Sequence, residues 1–138
     1  MKQIFHEVIV KTNGPGLYDF TRQAQDFVSK NKLFNGILNI NILHTSASLT
    51  IQENADPDVL KDLQTFYRKL VPMNGDYVHS SEGVDDMPAH IKSTLTNSNL
   101  TLSVLEGVVQ LGIWQGIYLF EHREINKNRT ILVHIFGN

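Results

Sequence analysis

Cysteine is absent from the 138-residue chain. Disulfides, thiolate zinc fingers, iron–sulfur clusters and a cysteine nucleophile are excluded together. Any bound metal must then be held by His, Asp, Glu or backbone oxygens. An excess of one charge is also missing: 12 Lys and Arg stand against 14 Asp and Glu, a net charge of −2. General nucleic-acid binding is disfavoured, because a phosphate binder carries a basic excess; a local basic pocket stays compatible. No run approaches the roughly 18 apolar residues of a membrane span. Met1-Lys2-Gln3, with His6 and Glu7 soon after, leaves no apolar stretch for a signal peptide. The expectation is a cytoplasmic protein without nucleic-acid or membrane partners. The length suits a single domain, residues 1–138, burying about two-thirds of its unfolded surface.

Hydrophobic periodicity supplies the fold class. Ile4–Thr12 reads as a strand that stops at the turn chemistry of Asn13-Gly14-Pro15-Gly16. Gly14-x-Gly16 lacks the third glycine of a dinucleotide loop. Leu17, Phe20, Ala24, Phe27 and Val28 recur at spacings of three and four, predicting a helix over 17–30. Period two returns over Gly36–His44, placing His44 on the Leu38 face, and Leu49–Gln52 reads as a further strand. Asp56-Pro57 is a helix start: Asp56 caps, and Pro57 occupies the first position, where no N–H is needed. Val59, Leu60, Leu63, Phe66, Tyr67 and Leu70 are expected to form that helix's buried face.

Residues 72–87 follow no period, and an irregular stretch longer than about 12–15 residues in a compact domain is usually functional or disordered. A short helix is predicted from Pro88 to about Thr96. Strands follow at 100–104, 108–112, 117–123 and 130–136, with Glu106-Gly107 and Asn126-Lys127-Asn128 as turns. The pattern is α+β, a mostly antiparallel sheet or sandwich with two or three helices.

Six histidines are present. His6 and His134 lie inside terminal strands, at ordinary surface or half-buried positions. His44, His79 and His90 each lie at an edge of regular structure, where loops aim side chains from several elements at one point. Neutral imidazole is the commonest metal ligand, and three protein ligands plus water is the open arrangement of catalytic zinc. Glu82, Asp85 and Asp86 flank His79 and His90, placed to orient an imidazole or to act as acid or base on bound water. The spacing matches no local metal motif, so three unrelated polar histidines remain the alternative. The acidic run equally suits a solvated loop that caps the following helix.

Five blocks occur in order: His44-Thr45-Ser46-Ala47-Ser48; Glu53-Asn54-Ala55-Asp56; His79-x-x-Glu82-Gly83-x-Asp85-Asp86-Met87-Pro88-Ala89-His90; Gly112-Ile113-Trp114-Gln115-Gly116; and Glu121-His122-Arg123. Together they resemble the YjbQ-like family of small proteins, described as secondary thiamine-phosphate synthases, over nearly the whole chain. The resemblance implies an α+β fold, a homotrimer, and a metal site whose ligands fall on His44, His79 and His90. A divalent metal, zinc first, is then the expected cofactor, with no organic cofactor. The implied reaction joins a pyrimidine diphosphate to a thiazole phosphate and releases pyrophosphate. One departure is visible: Ile113 stands where the family usually has a small hydroxyl residue before Trp-Gln.

For that coupling, Arg123 is the candidate for binding phosphate, with Thr45, Ser46 and Ser48 as hydroxyl donors. Trp114 would stack on a heterocycle and Gln115 hydrogen-bond to it. The plain alternatives are a core Trp114, a strand-end Arg123, and serines that serve only the turn. A histidine metal site equally suits a hydrolase of a small phosphorylated or cyclic compound, with Glu82 or Asp85 as base. A non-catalytic metal- or metabolite-binding trimer is the third reading. No G-x-S-x-G motif supports a covalent serine route.

Overall fold

Alternation of side chains dictates the larger sheet. From Gly36 to Ile42, Leu38, Ile40 and Ile42 are buried, while Ile37, Asn39 and Asn41 turn outward. The same period in Arg129, Ile131, Val133 and Ile135 buries alternate residues of the last strand. A computed structural model describes all 138 residues. Its elements are β1 (Lys2–Asn13), β2 (Gly16–Asp19), α1 (Thr21–Lys30), β3 (Gly36–Ile42), β4 (Ala47–Glu53), α2 (Pro57–Leu70), α3 (Asp86–Leu95), β5 (Asn99–Leu105), β6 (Val108–Val109), β7 (Gln115–Glu121) and β8 (Asn126–Gly137). The fold is α+β: a five-stranded sheet β1-β8-β3-β5-β6 and a three-stranded sheet β2-β7-β4, with every pairing antiparallel. No helix is long and apolar enough to cross a membrane.

The inward faces of both sheets and one side of α1 share a single apolar core, which includes Phe20, Val28, Leu38, Ile40, Leu49, Ile117, Leu119 and Ile131. β7 is buried from Gly116 to Glu121 because it has cover on both faces. Ile117 and Leu119 join the core, while Phe120 meets Tyr67 of α2 edge-to-face at 5.5 Å. One edge of the molecule closes on glycines. Gly36 pairs with Gly137 between β3 and β8. A Cβ at Gly36 would stand 2.2 Å from the Phe136 carbonyl oxygen, and one at Gly137 2.1 Å from that of Asn35. Only residues without a Cβ let these backbones approach so closely.

Several boundaries differ from the periodic reading. Leu17 and Tyr18 belong to β2, paired with Phe120 and Leu119 of β7, so the helix starts only at Thr21. The Asp19 carboxylate marks that start by accepting the Thr21 N–H at 2.9 Å. Asn126-Lys127-Asn128 is strand rather than turn: β1 is twelve residues long and supplies partners as far as Asn13↔Asn126, overriding local propensity. The strand expected over 108–112 shortens to two residues. Asp56 and Pro57 do open α2, with the Asp56 carboxylate accepting the Asp58 N–H at 2.9 Å. Yet α2 rests on a small sheet and fully buries no residue: Val59, Leu60, Leu63 and Tyr67, expected inside, are only half-buried. Phe66 and Leu70, expected inside, are exposed. α3 begins two residues earlier than predicted, at Asp86.

Replacing Gly36 with Ala forces the β3 and β8 backbones apart and should destabilise the protein by about 3 kcal/mol. Urea unfolding checks this, and an unchanged midpoint would show that the strands accommodate the methyl group.

Candidate functional site

α3 carries Asp86 and His90 one turn apart, so both side chains lie on the same helix face. The loop before it folds back and brings His79 and Glu82 over that face. One donor atom from each of His79, Glu82, Asp86 and His90 falls within 4.8 Å of the others. Asp86 is the centre and is only 2% exposed. Its Oδ2 lies 2.6 Å from His79 Nε2 and 3.1 Å from His90 Nε2. Glu82 Oε2 lies 3.4 Å from His79 Nε2. His90 is oriented from behind, its Nδ1 2.9 Å from the Thr45 carbonyl. With Nδ1 as donor, Nε2 of the neutral ring carries the lone pair that a metal ion would take, and Nε2 donates to Asp86 Oδ2 only when the ring is protonated. The hydrogen bond with Asp86 raises the pKa of His79.

Arg123 holds the floor of this cluster. Nε meets Asp85 Oδ2 at 2.9 Å, Nη1 meets Asp86 Oδ1 at 2.7 Å, and Nη2 donates to the Glu82 carbonyl at 2.9 Å. All three guanidinium nitrogens are engaged and the residue is buried. The contacts Arg123 makes within the chain are therefore positioning ones, holding Asp85, Asp86 and the Glu82 carbonyl. Asp85 is committed in the same way, its Oδ2 also accepting the Glu124 N–H at 2.8 Å. Burial would raise the Asp85 carboxyl, but the bonds from Arg123 and Glu124 bring its pKa below the ordinary value. It is a locked carboxylate, not the base considered from sequence. Glu82 alone keeps a mostly exposed side chain at the rim.

The other expected residues scatter. β3 ends at Ile42, and His44 beyond it accepts the Thr130 N–H on Nε2 at 2.8 Å. Burial and Arg129 lower its pKa, which suits a neutral acceptor. His44 is not in the cluster, although its neighbour Thr45 orients His90. Ser46 and Ser48 are buried and occupied: Ser46 accepts from Arg129 at 3.0 Å, and Ser48 pairs with His122 Nε2 at 2.9 Å. Trp114 and Gln115 lie at the opposite end of the small sheet. Glu53 pairs with Gln115 and Ala47 with Glu121, so six residue steps of about 3.4 Å, roughly 20 Å, separate that end from the cluster. Trp114 is 61% exposed, not core. Within one chain it does not meet the histidines.

Two features escaped the sequence reading. The Asp86-x-x-x-His90 spacing was visible, but Asp86 read as a flanking or capping residue rather than the central acceptor. His122 carried no separate signal. It is 2% exposed and lies 4.4 Å from Phe120 with the two rings tilted by 47°. Burial first, then Lys92 and Arg129, lower its pKa to about 3. Beneath it the Glu121 carboxylate takes Arg129 through Nε at 2.8 Å and accepts the Thr12 hydroxyl.

These features define a class: an α+β protein with a histidine–carboxylate cluster held by an arginine clamp. Residues 6–138 match the family described as UPF0047 protein YjbQ-like. A UPF0047 protein of Synechocystis is 45% identical over 131 residues, covering 94% of this chain and 89% of that one. UPF0047 protein YjbQ of Escherichia coli O157:H7 is 48% identical over 102 residues, 74% of each chain. A YbjQ-like protein of unknown function from Sulfolobus solfataricus superimposes with a TM-score of 0.92 at 27% identity over 99% of both chains. A YjbQ/UPF0047 protein of Clostridium acetobutylicum gives 0.88 at 34% identity, over 95% of this chain and 99% of that one. The chain belongs to the YjbQ-like UPF0047 family.

His122 generates a pH prediction. Unfolded, it takes a proton near pH 6.5; folded, it stays neutral to about pH 3. Its contribution is therefore present above pH 6.5 and lost as pH falls toward 3, at up to about 1.4 kcal/mol per pH unit. His122→Gln, which keeps a donor for Ser48, should flatten the fall in stability between pH 7 and 5 measured by urea unfolding. Parallel pH profiles for the two proteins would mean that His122 takes up its proton as readily in the fold as in the unfolded chain.

Proposed function

We propose that His79, Asp86 and His90 hold a divalent metal, zinc first, with Glu82 beside the ion at the rim, in an enzyme acting on small phosphorylated heterocycles. The observation that carries this reading is the convergence of four donor atoms within 4.8 Å, with His90 already oriented by Thr45. The residues fit the ion. Zinc–ligand bonds of about 2.0–2.2 Å set tetrahedral ligands roughly 3.4 Å apart, so the His79–Asp86 contact of 2.6 Å would open by less than about 1 Å. His79 lies on the loop before α3, outside any helix or strand. A bound divalent ion would stabilise negative charge on phosphate oxygens or acidify a water.

The chain's own residues divide the remaining work. Arg123 and Asp85 hold Asp86 and the loop in place. Glu82, at the open rim, is the group available to exchange a proton with substrate or water. Coupling of a pyrimidine diphosphate to a thiazole phosphate, implied by the family resemblance, is the first reaction to assay, because the departing pyrophosphate needs such charge stabilisation. The exposed Glu82 beside the cluster favours a second reading, a metal-dependent hydrolase with Glu82 as base. We also propose a homotrimer joined through the uncovered face of the five-stranded sheet, where Phe5, Ile9, Ile37, Leu43 and Phe136 are exposed. Trp114 of one chain would then have a route to the cluster of another.

Metal analysis by mass spectrometry on untagged protein should find about one ion per chain, lost in Asp86→Ala and His90→Ala and kept in His44→Ala. No metal after incubation with zinc would sink the site, whereas loss in His44→Ala would return His44 to the ligand set. With metal restored, pyrophosphate release that needs both substrates supports coupling, and product from one substrate and water supports hydrolysis. No product under any metal leaves the non-catalytic binding protein. Light scattering should give three times the chain mass, and a monomer would remove the trimer.

A further inference from the structure

Lys92 follows His90 by two residues, about 200° further round α3 at 100° per residue. It therefore points away from the histidine–carboxylate cluster, toward α2 and the end of β7. The residue is 8% exposed, and its ammonium forms no hydrogen bond or ion pair within the protein. The ammonium is not among the fully buried unpaired atoms: the stem is buried, and the charged end keeps access to the space it faces. Its side chain ends in a small cavity of about 30 Å³, lined also by Gln64, Tyr67, Arg68, Phe120, His122 and Glu124.

The charges round this cavity do not cancel. Glu121 lines it too but is committed to Arg129 and Thr12. Arg68 makes no ion pair, and Glu124 is the one uncommitted carboxylate. Two cations against one anion leave a single positive charge. His122 spends Nε2 on Ser48, while its other ring nitrogen makes no hydrogen bond. The cavity thus combines an ammonium with no protein partner, a guanidinium at its mouth and an unused imidazole nitrogen.

We propose that this cavity is a second, metal-independent subsite that binds the oxyanion end of a small ligand, a phosphate or carboxylate group. The volume is close to one water's share of liquid, about 30 Å³, so a single oxygen of the group enters and meets Lys92. The remaining oxygens stay at the mouth, where the Arg68 fork takes them. The residual single positive charge matches a singly charged group. This subsite stands on the opposite side of α3 from the proposed metal ligands and does not rest on the metal reading.

The test is a titration of the full chain with inorganic phosphate and, separately, with acetate, followed by calorimetry and by the NMR signals of the His122 ring. Saturable binding of at least one ion, unaffected by EDTA and weakened at least tenfold in both Lys92→Met and Arg68→Met, is expected. Which ion binds more tightly distinguishes a phosphate from a carboxylate ligand. No saturable binding of either ion, unchanged affinity in Lys92→Met, or binding abolished by EDTA would each overturn the proposal. Should Lys92→Met fail to fold, the wild-type protein decides: His122 signals that move during saturation support the subsite, and signals that stay fixed overturn it.

Discussion

The guanidinium of Arg123 ties the end of β7 to the first turn of α3, and the candidate site is arranged around that tie. It pairs Asp85 and Asp86 simultaneously and holds the Glu82 carbonyl. Two adjacent carboxylates at a buried helix start would repel each other and lose hydration; one planar cation in bidentate range relieves both effects. Removing one partner of such a buried set typically costs about 3–5 kcal/mol, because charge is left uncompensated. The clamp also sets the geometry of the cluster. With Asp86 Oδ1 taken by Arg123, only Oδ2 faces His79 and His90. The direction in which Asp86 presents its lone pairs is thus decided by a residue that does not itself enter the cluster.

A second polar layer lies under the first. Glu121, fully buried, accepts Arg129 and Thr12, while its neighbour His122 pairs with Ser48. These residues occupy the end of the small sheet nearest the cluster, where β4 begins beside the end of β7. A low-dielectric surrounding strengthens satisfied hydrogen bonds and penalises unsatisfied ones, so this layer resists displacement of either strand. The rigid floor lets α3 display different chemistry on its two sides: imidazoles and carboxylates on one, an unpartnered ammonium on the other.

Much of the fold was legible in particular residues. Leu38, Ile40 and Ile42 announced β3, Asp56-Pro57 announced α2, and the aperiodic stretch before α3 marked the site loop. The failures share one cause. Leu17 and Tyr18 have helical spacing but are captured by β7, and Asn126–Asn128 have turn composition but are captured by β1. In each case a long-range ladder outweighed a local preference worth no more than about 1 kcal/mol. Phe66 and Leu70 fit an apolar stripe on α2 that the small sheet beneath is too narrow to cover.

The order of residues alone determined the fold class and the absence of thiolate chemistry, and it marked His79, His90 and their acidic neighbours as candidates. These depend on composition and on periods of two and 3.6, which are local properties. Only the tertiary structure decided that Asp86 is the shared acceptor, that Arg123 clamps Asp86, that His44 stands outside the cluster, and that Trp114 lies a strand's length away. Each of these turns on which side chains converge across the chain. Convergence follows from strand register and helix docking, set by the whole core at once and absent from any local stretch of sequence.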